Sequence, residues 1–178
     1  DPVFHVYDNL IQTLENNGYV RGEGLFPWGY DWKNSSTENA LLLKQKIDEV
    51  KNICDCEQVD IVAHSMGGLV TRAYVQSPNY ENDIDQIIFL GTPHRGAPKD
   101  YLVWEAGEVG DDVQSRFLES HYKKEAKKLG YKSLCNYIRD WPIKSVEELL
   151  PISDYLHSAT SGQTLVYPTG YPRNTFLE

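Results

Sequence analysis

The chain has 178 residues, of which 17 are basic and 26 acidic, and its formal net charge at pH 7 is −9. We therefore expect no nucleic-acid partner, because the phosphate backbone favours basic surfaces. Hydrophobic residues make up 40% of the sequence, enough for one domain with a modest insertion. No apolar run approaches the ~18 residues that a membrane-spanning helix needs.

Three cysteines, Cys54, Cys56 and Cys135, are too few for a disulfide framework. Cys54 and Cys56 lack further ligands at metal-site spacing, so we expect idle or buried thiols, no metal site and no cofactor. The first residues show no secretory signal pattern. Because the sequence begins with Asp1 rather than Met, we expect that a preceding segment has been removed. These features leave the cellular compartment open.

The first elements are a helix and an aromatic segment. Apolar residues over 10–14 share one helix face, and Gly18 is a suitable end for this helix. The segment 24–32, "GLFPWGYDW", is short, aromatic and bounded by glycines. This composition predicts a strand that runs into a loop.

The next elements alternate regularly between helix and strand. Apolar residues recur every three or four positions over 40–53, which predicts an amphipathic helix capped at Ser36 or Thr37. The short β-branched runs 59–63 and 86–90 are typical of strands buried on both faces, and a helical stripe lies between them. The order α-β-α-β-α-β predicts a parallel sheet with helical crossovers.

Beyond Pro98 the pattern becomes helical and charged. We expect residues 101–163 to form a helical cap region over the sheet edge, and a strand near Thr164–Tyr167. The resulting organisation is a partial α/β core over 1–100, the cap region over 101–163, and a return over 164–178 toward a further C-terminal segment. The four lysines of "HYKKEAKKLGY" indicate either a solvated helix face or a membrane contact.

The stretch "DIVAHSMGGLVTRAYV" places Ser65 between the strand and the helix, in the pattern Ala-x-Ser-x-Gly. A strand, a sharp turn and a helix form a nucleophile elbow, which holds a serine hydroxyl out of the backbone. Ala63 and Gly67 flank the serine, where we expect larger side chains to clash, and Gly68 would let the helix approach its neighbours. The turn directs the Met66 N–H at the oxyanion that forms when a carbonyl is attacked.

A second marker, "FLGTPHRGAP" over 89–98, follows the next predicted strand and would flank the serine. Together, "VDIVAHSMGGLVTRAYV" and "IIFLGTPHRGAP" resemble the serine lipases of the α/β-hydrolase fold. Within these, "GYDW" and "SVEELLPISDYL" are similar to the lecithin:cholesterol acyltransferase-like group. The resemblance implies an α/β-hydrolase-type parallel sheet with helices on both faces, here incomplete, and a helical cap.

The resemblance also implies a mechanism in which Ser65 attacks an acyl ester and Met66 supplies a backbone oxyanion donor. Such enzymes place an acid and a histidine on later strands. We expect these groups to lie outside this chain, so that the chain alone has little turnover. His64 is expected to pack or to order the loop rather than act as base. His94 is expected to order the loop or contact substrate rather than act as base, and Trp28 to line an acyl site or pack.

Three functions remain open on the sequence. The first is a serine hydrolase of lipid carboxylic esters, because a helical cap can shield an apolar groove. The second is an O-acyltransferase, in which an alcohol replaces water in the second step. The third is a non-catalytic fragment that binds lipid or a partner protein. A peptidase on the same fold is disfavoured by the lipase-like loop and cap, and contact between the cap and a lipid surface is expected under the first two readings.

Overall fold

The computed structural model describes residues 5–111, 113–140, 143–165 and 174–178. The chain divides into two units. The first comprises Asp1–Trp32 and Ser36–Thr92, and the second comprises Lys33–Ser35 and Pro93–Glu178. The finer organisation expected from the sequence, with boundaries after residues 100 and 163, stays a prediction.

Three helices and two strands make up the first unit. They are, in chain order, α1 (Asp8–Asn16), α2 (Ser36–Cys54), β1 (Val59–His64), α3 (Met66–Val75) and β2 (Ile84–Leu90). β1 and β2 pair in parallel, with α3 between them in sequence, as in a strand–helix–strand crossover. The predicted α/β class with a parallel sheet is therefore confirmed.

The core of the first unit lies where α2 and α3 cover one face of the strands. Spacings of three and four residues along α2 bring its apolar side chains to this face. The buried cluster consists of Ala40, Leu43, Ile47, Val70, Tyr74 and Ile84. Each large side chain in such a core contributes about 1.5–3 kcal/mol relative to exposure. This packing fixes α3, and hence the residue that precedes it.

The predicted strand over 24–32 is absent: apart from an isolated bridge between Arg21 and Leu25, the structure shows turns and irregular backbone there. Glycines and Pro27 in this segment disfavour a strand ladder. Trp28 and Tyr30 pack instead against the buried cluster of α2 and α3. The burial of aromatic rings, rather than strand pairing, therefore accounts for the apolar character of the segment.

The prediction that both strands are buried on both faces is also wrong. Val62 and Ile88 are paired across the two strands and are 43% and 54% exposed. Ala63, on the opposite face of β1, is only 6% exposed. A β-branched run indicates a strand, but it does not indicate how many faces of that strand are covered. The helix predicted over 40–53 is confirmed, although α2 includes both of its expected capping residues.

The second unit is mainly helical, as expected for the region after Pro98. Its elements are α4 (Pro98–Ala106), α5 (Val113–Lys128), α6 (Leu134–Asp140), α7 (Lys144–Glu148) and an antiparallel pair of β3 (Leu156–His157) and β4 (Thr164–Leu165). β4 coincides with the start of the strand predicted over 164–167, and the last two residues of that prediction lie outside the described part. No helix in the described ranges is long and apolar enough to cross a bilayer.

The expectation of idle thiols at Cys54 and Cys56 is corrected by a disulfide that joins them. Asp55 between them has a φ of 53°, a left-handed conformation that aspartate tolerates better than most residues. This local turn folds the end of α2 back on itself. Cys135 is free, and its thiol faces the carbonyl oxygens of Trp104 and Glu105.

Candidate functional site

A single residue connects β1 to α3, and its backbone is unusual. Ser65 has φ 53° and ψ −127°, whereas β1 ends at His64 and α3 begins at Met66. Positive φ at a non-glycine residue costs of order 1–3 kcal/mol and persists only where the surroundings hold it. Two backbone hydrogen bonds do so: the Ser65 N–H donates to Leu90 O at 2.9 Å, and the Ser65 carbonyl accepts from the Gly68 N–H at 3.0 Å.

The Ser65 hydroxyl is not used to cap the helix. Serine at this position normally accepts a hydrogen bond from the first turn, but here the side chain makes no capping bond. Ser65 is half-buried, and within the described part of the chain its hydroxyl has no hydrogen-bond partner. The neighbouring Met66 N–H is the first of α3 and has no acceptor within the helix. A hydroxyl group and the positive end of a helix thus lie side by side.

Gly68 permits the close approach of α3 to the segment after β2. A Cβ atom at Gly68 would lie 2.0 Å from Thr92 Oγ1, 2.6 Å from Thr92 Cγ2 and 2.8 Å from Phe89 Cδ1. The expected role of Gly68 is therefore confirmed. The expected clash at Gly67 is wrong, because a Cβ there would meet only the Tyr30 hydroxyl oxygen, at 3.7 Å.

His64 makes its side-chain contact with Tyr7, the residue before α1, rather than with the serine. Its Nδ1 lies 2.9 Å from the Tyr7 hydroxyl oxygen, and the two rings meet edge to face with centroids 5.6 Å apart. This contact supports the packing role expected for His64. Tyr7 was not identified from the sequence, because no local pattern links residues 57 positions apart.

The aromatic rings of Trp28 and Tyr30 contact each other and pack against the buried cluster to which α3 contributes. Their ring centroids lie 5.3 Å apart, and both residues are half-buried. Burial, together with the nearby Tyr7, raises the pKa of Tyr30 to about 12. The Tyr30 hydroxyl therefore stays protonated, and can donate a hydrogen bond, at any physiological pH. The contact of Trp28 with substrate stays a prediction.

His94 lies in the second unit, in the segment that follows β2 and Thr92. It is half-buried and is already engaged in an interaction within the described residues. Its expected contact with substrate stays a prediction, as do the roles of Ser65 as nucleophile and of Met66 as oxyanion donor.

One group of carboxylates in the described residues, Asp48, Glu81 and Asp83, is close enough to share a cation. These groups already have partners. Lys44 Nζ lies 2.8 Å from Asp48 and 3.0 Å from Glu81, and the Tyr74 hydroxyl donates to both oxygens of the Asp83 carboxylate, at 2.7 and 2.8 Å. The cluster is accounted for as an ion-pair and hydrogen-bond network.

The first unit thus belongs to the class of α/β proteins in which a sharp strand–serine–helix turn lies at the carboxyl end of a parallel strand. The family model of lecithin:cholesterol acyltransferase matches residues 1–165. The chain belongs to this family.

Curated relatives match over about a hundred residues. Phospholipase A(1) LCAT3 of Arabidopsis thaliana is 33% identical over 100 residues, covering 54% of this chain and 22% of that protein. The human lysosomal phospholipase A and acyltransferase is 32% identical over 108 residues, covering 57% and 26%. The phosphatidylcholine-sterol acyltransferase of Gallus gallus is 33% identical over 105 residues, covering 56% and 25%. The matched part is therefore about a quarter of each relative's length.

Among solved structures, the mature form of the Bacillus licheniformis lipase BlEst2 is similar to this chain. The sequence identity is 21%, the TM-score is 0.39, and the match covers 64% of this chain and 45% of the lipase.

Proposed function

We propose that this chain carries the nucleophile of an enzyme that cleaves carboxylic esters of lipids. The observation that carries the proposal is the positive-φ turn at Ser65, with its unbonded hydroxyl beside the first N–H of α3. Membership of the family supports the lipid ester as substrate, since relatives are named phospholipase or acyltransferase.

The proposed reaction begins with attack of Ser65 Oγ on the ester carbonyl carbon. The hydroxyl proton passes to a general base, and the carbonyl oxygen becomes an oxyanion that the Met66 N–H stabilises. Collapse of this intermediate breaks the bond to the alcohol, which leaves with a proton, and an acyl group remains on Ser65. Trp28 and His94 are proposed to contact the substrate, and a lipid surface is proposed to meet the helical region after Pro98.

The second step decides between two related functions. If water attacks the acyl group, the enzyme is a hydrolase. If a lipid or sterol alcohol attacks, the enzyme is an O-acyltransferase. The name of the human relative includes both activities, so both are retained. Addition of a long-chain alcohol to the reaction distinguishes them: transfer gives a new ester, whereas hydrolysis gives only free fatty acid.

We also propose that this chain alone turns over slowly. No described residue accepts a hydrogen bond from the Ser65 hydroxyl, so no general base among the described residues is bonded to it. Loss of the base reduces turnover by several orders of magnitude in serine hydrolases. Rapid hydrolysis of p-nitrophenyl butyrate, abolished by Ser65→Ala, would place a working base within the chain. A chain that neither hydrolyses the ester nor becomes acylated at Ser65 would favour the non-catalytic, lipid-binding alternative.

A further inference from the structure

The second unit carries a concentrated positive charge on one face of α5. Arg116, Ser120, Lys123, Lys124 and Lys127 follow the spacing of a single helix face, and all five are exposed. We call these five residues the basic stripe. With Glu119 their side chains line a shallow groove of about 420 Å³.

The stripe faces away from the core of its own unit. The opposite side of α5 is buried through Ser115, Tyr122 and Ala126. Five basic and two acidic side chains give α5 a net charge of +3, whereas the whole chain carries −9. The stripe is therefore a region of positive charge on a chain whose net charge is negative.

Few carboxylates neutralise the stripe. Lys123 is paired with Glu119 one turn away. Arg116, Lys124 and Lys127 have no ion pair within the described part of the chain. Unpaired like charges on one helix face repel each other, so the arrangement is expected to bind an anionic partner.

An apolar ring lies beside the stripe. Phe117 is next to Arg116 on the solvent side of α5 and is 60% exposed. Lys and Arg on a helix face together with an exposed aromatic ring are typical of helices that lie in the plane of a membrane interface. In such helices the cationic side chains bind the lipid phosphates, while the aromatic ring enters the boundary between headgroups and acyl chains.

We propose that the basic stripe docks on an anionic lipid surface, with Phe117 inserted between headgroups. The charge complementarity and the adjacent ring favour a lipid surface over a soluble polyanion, because a soluble polyanion offers no apolar region in which the phenyl ring could be buried. The inference extends the proposed function by naming the surface on which the lipid ester is reached. It does not depend on the reactivity of Ser65, because binding alone is measured.

The test is sedimentation of the chain with vesicles of phosphatidylcholine, and with vesicles of equal parts phosphatidylcholine and phosphatidylglycerol. We expect binding only to the anionic vesicles, decreasing as salt is added. The double variant Lys124→Glu/Lys127→Glu should lower the vesicle partition coefficient by at least about 25-fold, since each of the two lost basic residues contributes about a factor of five and the new carboxylates add repulsion. Phe117→Ala should weaken binding in a way that added salt does not reproduce.

The matched control is Lys51→Glu/Lys144→Glu, which makes the same change in net charge at two residues that are not part of the stripe, and it should bind far more tightly than the stripe variant. Circular dichroism verifies that all variants remain folded. Equal loss in both double variants, or equal binding to neutral and anionic vesicles, would overturn the proposal. So would binding to soluble heparin without binding to anionic vesicles. Fluorophosphonate labelling of Ser65 in the same samples separates a failure here from a failure of the proposed reaction.

Discussion

Replacement of Gly68 by alanine tests the packing that holds the turn at Ser65. The new methyl group would lie 2.0 Å from Thr92 Oγ1 and 2.8 Å from Phe89 Cδ1, far inside van der Waals contact. Forcing such a group into a packed site costs about 1–3 kcal/mol, and the 2.0 Å approach to Thr92 Oγ1 places this site at the upper end. The higher helix propensity of alanine offsets up to about 1 kcal/mol of this cost. We therefore expect a net loss of roughly 2 kcal/mol in the free energy of unfolding.

Urea unfolding of the variant measures this loss, with Gly67→Ala as the matched control. The control adds the same methyl group one residue earlier, where the nearest atom is 3.7 Å away. It should therefore be neutral or more stable by up to about 1 kcal/mol. The double variant Gly68→Ala/Thr92→Ala removes both contacting Thr92 atoms and should recover part of the loss. A Gly68→Ala variant as stable as the Gly67→Ala control would refute the packing argument.

Two further predictions concern the buried hydrogen bond between Tyr74 and Asp83 and the half-buried carboxyl group of Asp100. Tyr74→Phe should lower the free energy of unfolding by about 1.5–3 kcal/mol, because the buried Asp83 carboxylate loses the hydroxyl that donates to both its oxygens. The control is Tyr80→Phe, at a residue whose ring contacts the ring of Tyr74; it should have little effect in the same denaturation assay. Burial raises the pKa of Asp100 from 3.8 to about 7. Between these two pH values the folded state holds a proton that the unfolded chain has released, so the free energy of unfolding falls as the pH rises from 3.8 to about 7. Asp100→Asn should therefore raise the Tm at pH 8 but not at pH 3.5, whereas a similar gain at both pH values, or an equal gain in the exposed Asp111→Asn control, would contradict this assignment.

The turn at Ser65 could be predicted from the sequence because its determinants are local. The β-branched run before it and the helical stripe after it leave one residue for the connection, and Gly68 marks a close approach that only a small residue allows. The parallel pairing of β1 and β2 followed from the helix between them. The confirmed features thus depend on short-range periodicity and steric size.

Features that depend on contacts between distant residues were not predictable in this way. The aromatic segment 24–32 has the composition of a strand, but Trp28 and Tyr30 pack against the buried cluster of α2 and α3. The contact between Tyr7 and His64 joins residues 57 positions apart.

The Cys54–Cys56 disulfide was missed for a different reason. Cysteine counting predicts frameworks of long loops, whereas this bridge spans one intervening residue whose backbone conformation is left-handed.

The reactivity of Ser65 toward a fluorophosphonate probe tests the central claim most directly. Even without a base, we expect the half-buried Ser65 hydroxyl beside the first N–H of α3 to react faster than ordinary serines, because residual catalysis in such sites comes from the oxyanion hole and from binding. We therefore predict that peptide mapping by mass spectrometry finds the label on Ser65 before any other serine, and that Ser65→Ala abolishes this early labelling while Ser120→Ala leaves it unchanged. Labelling of Ser65 no faster than that of the exposed Ser120 would show that the turn does not present a reactive hydroxyl.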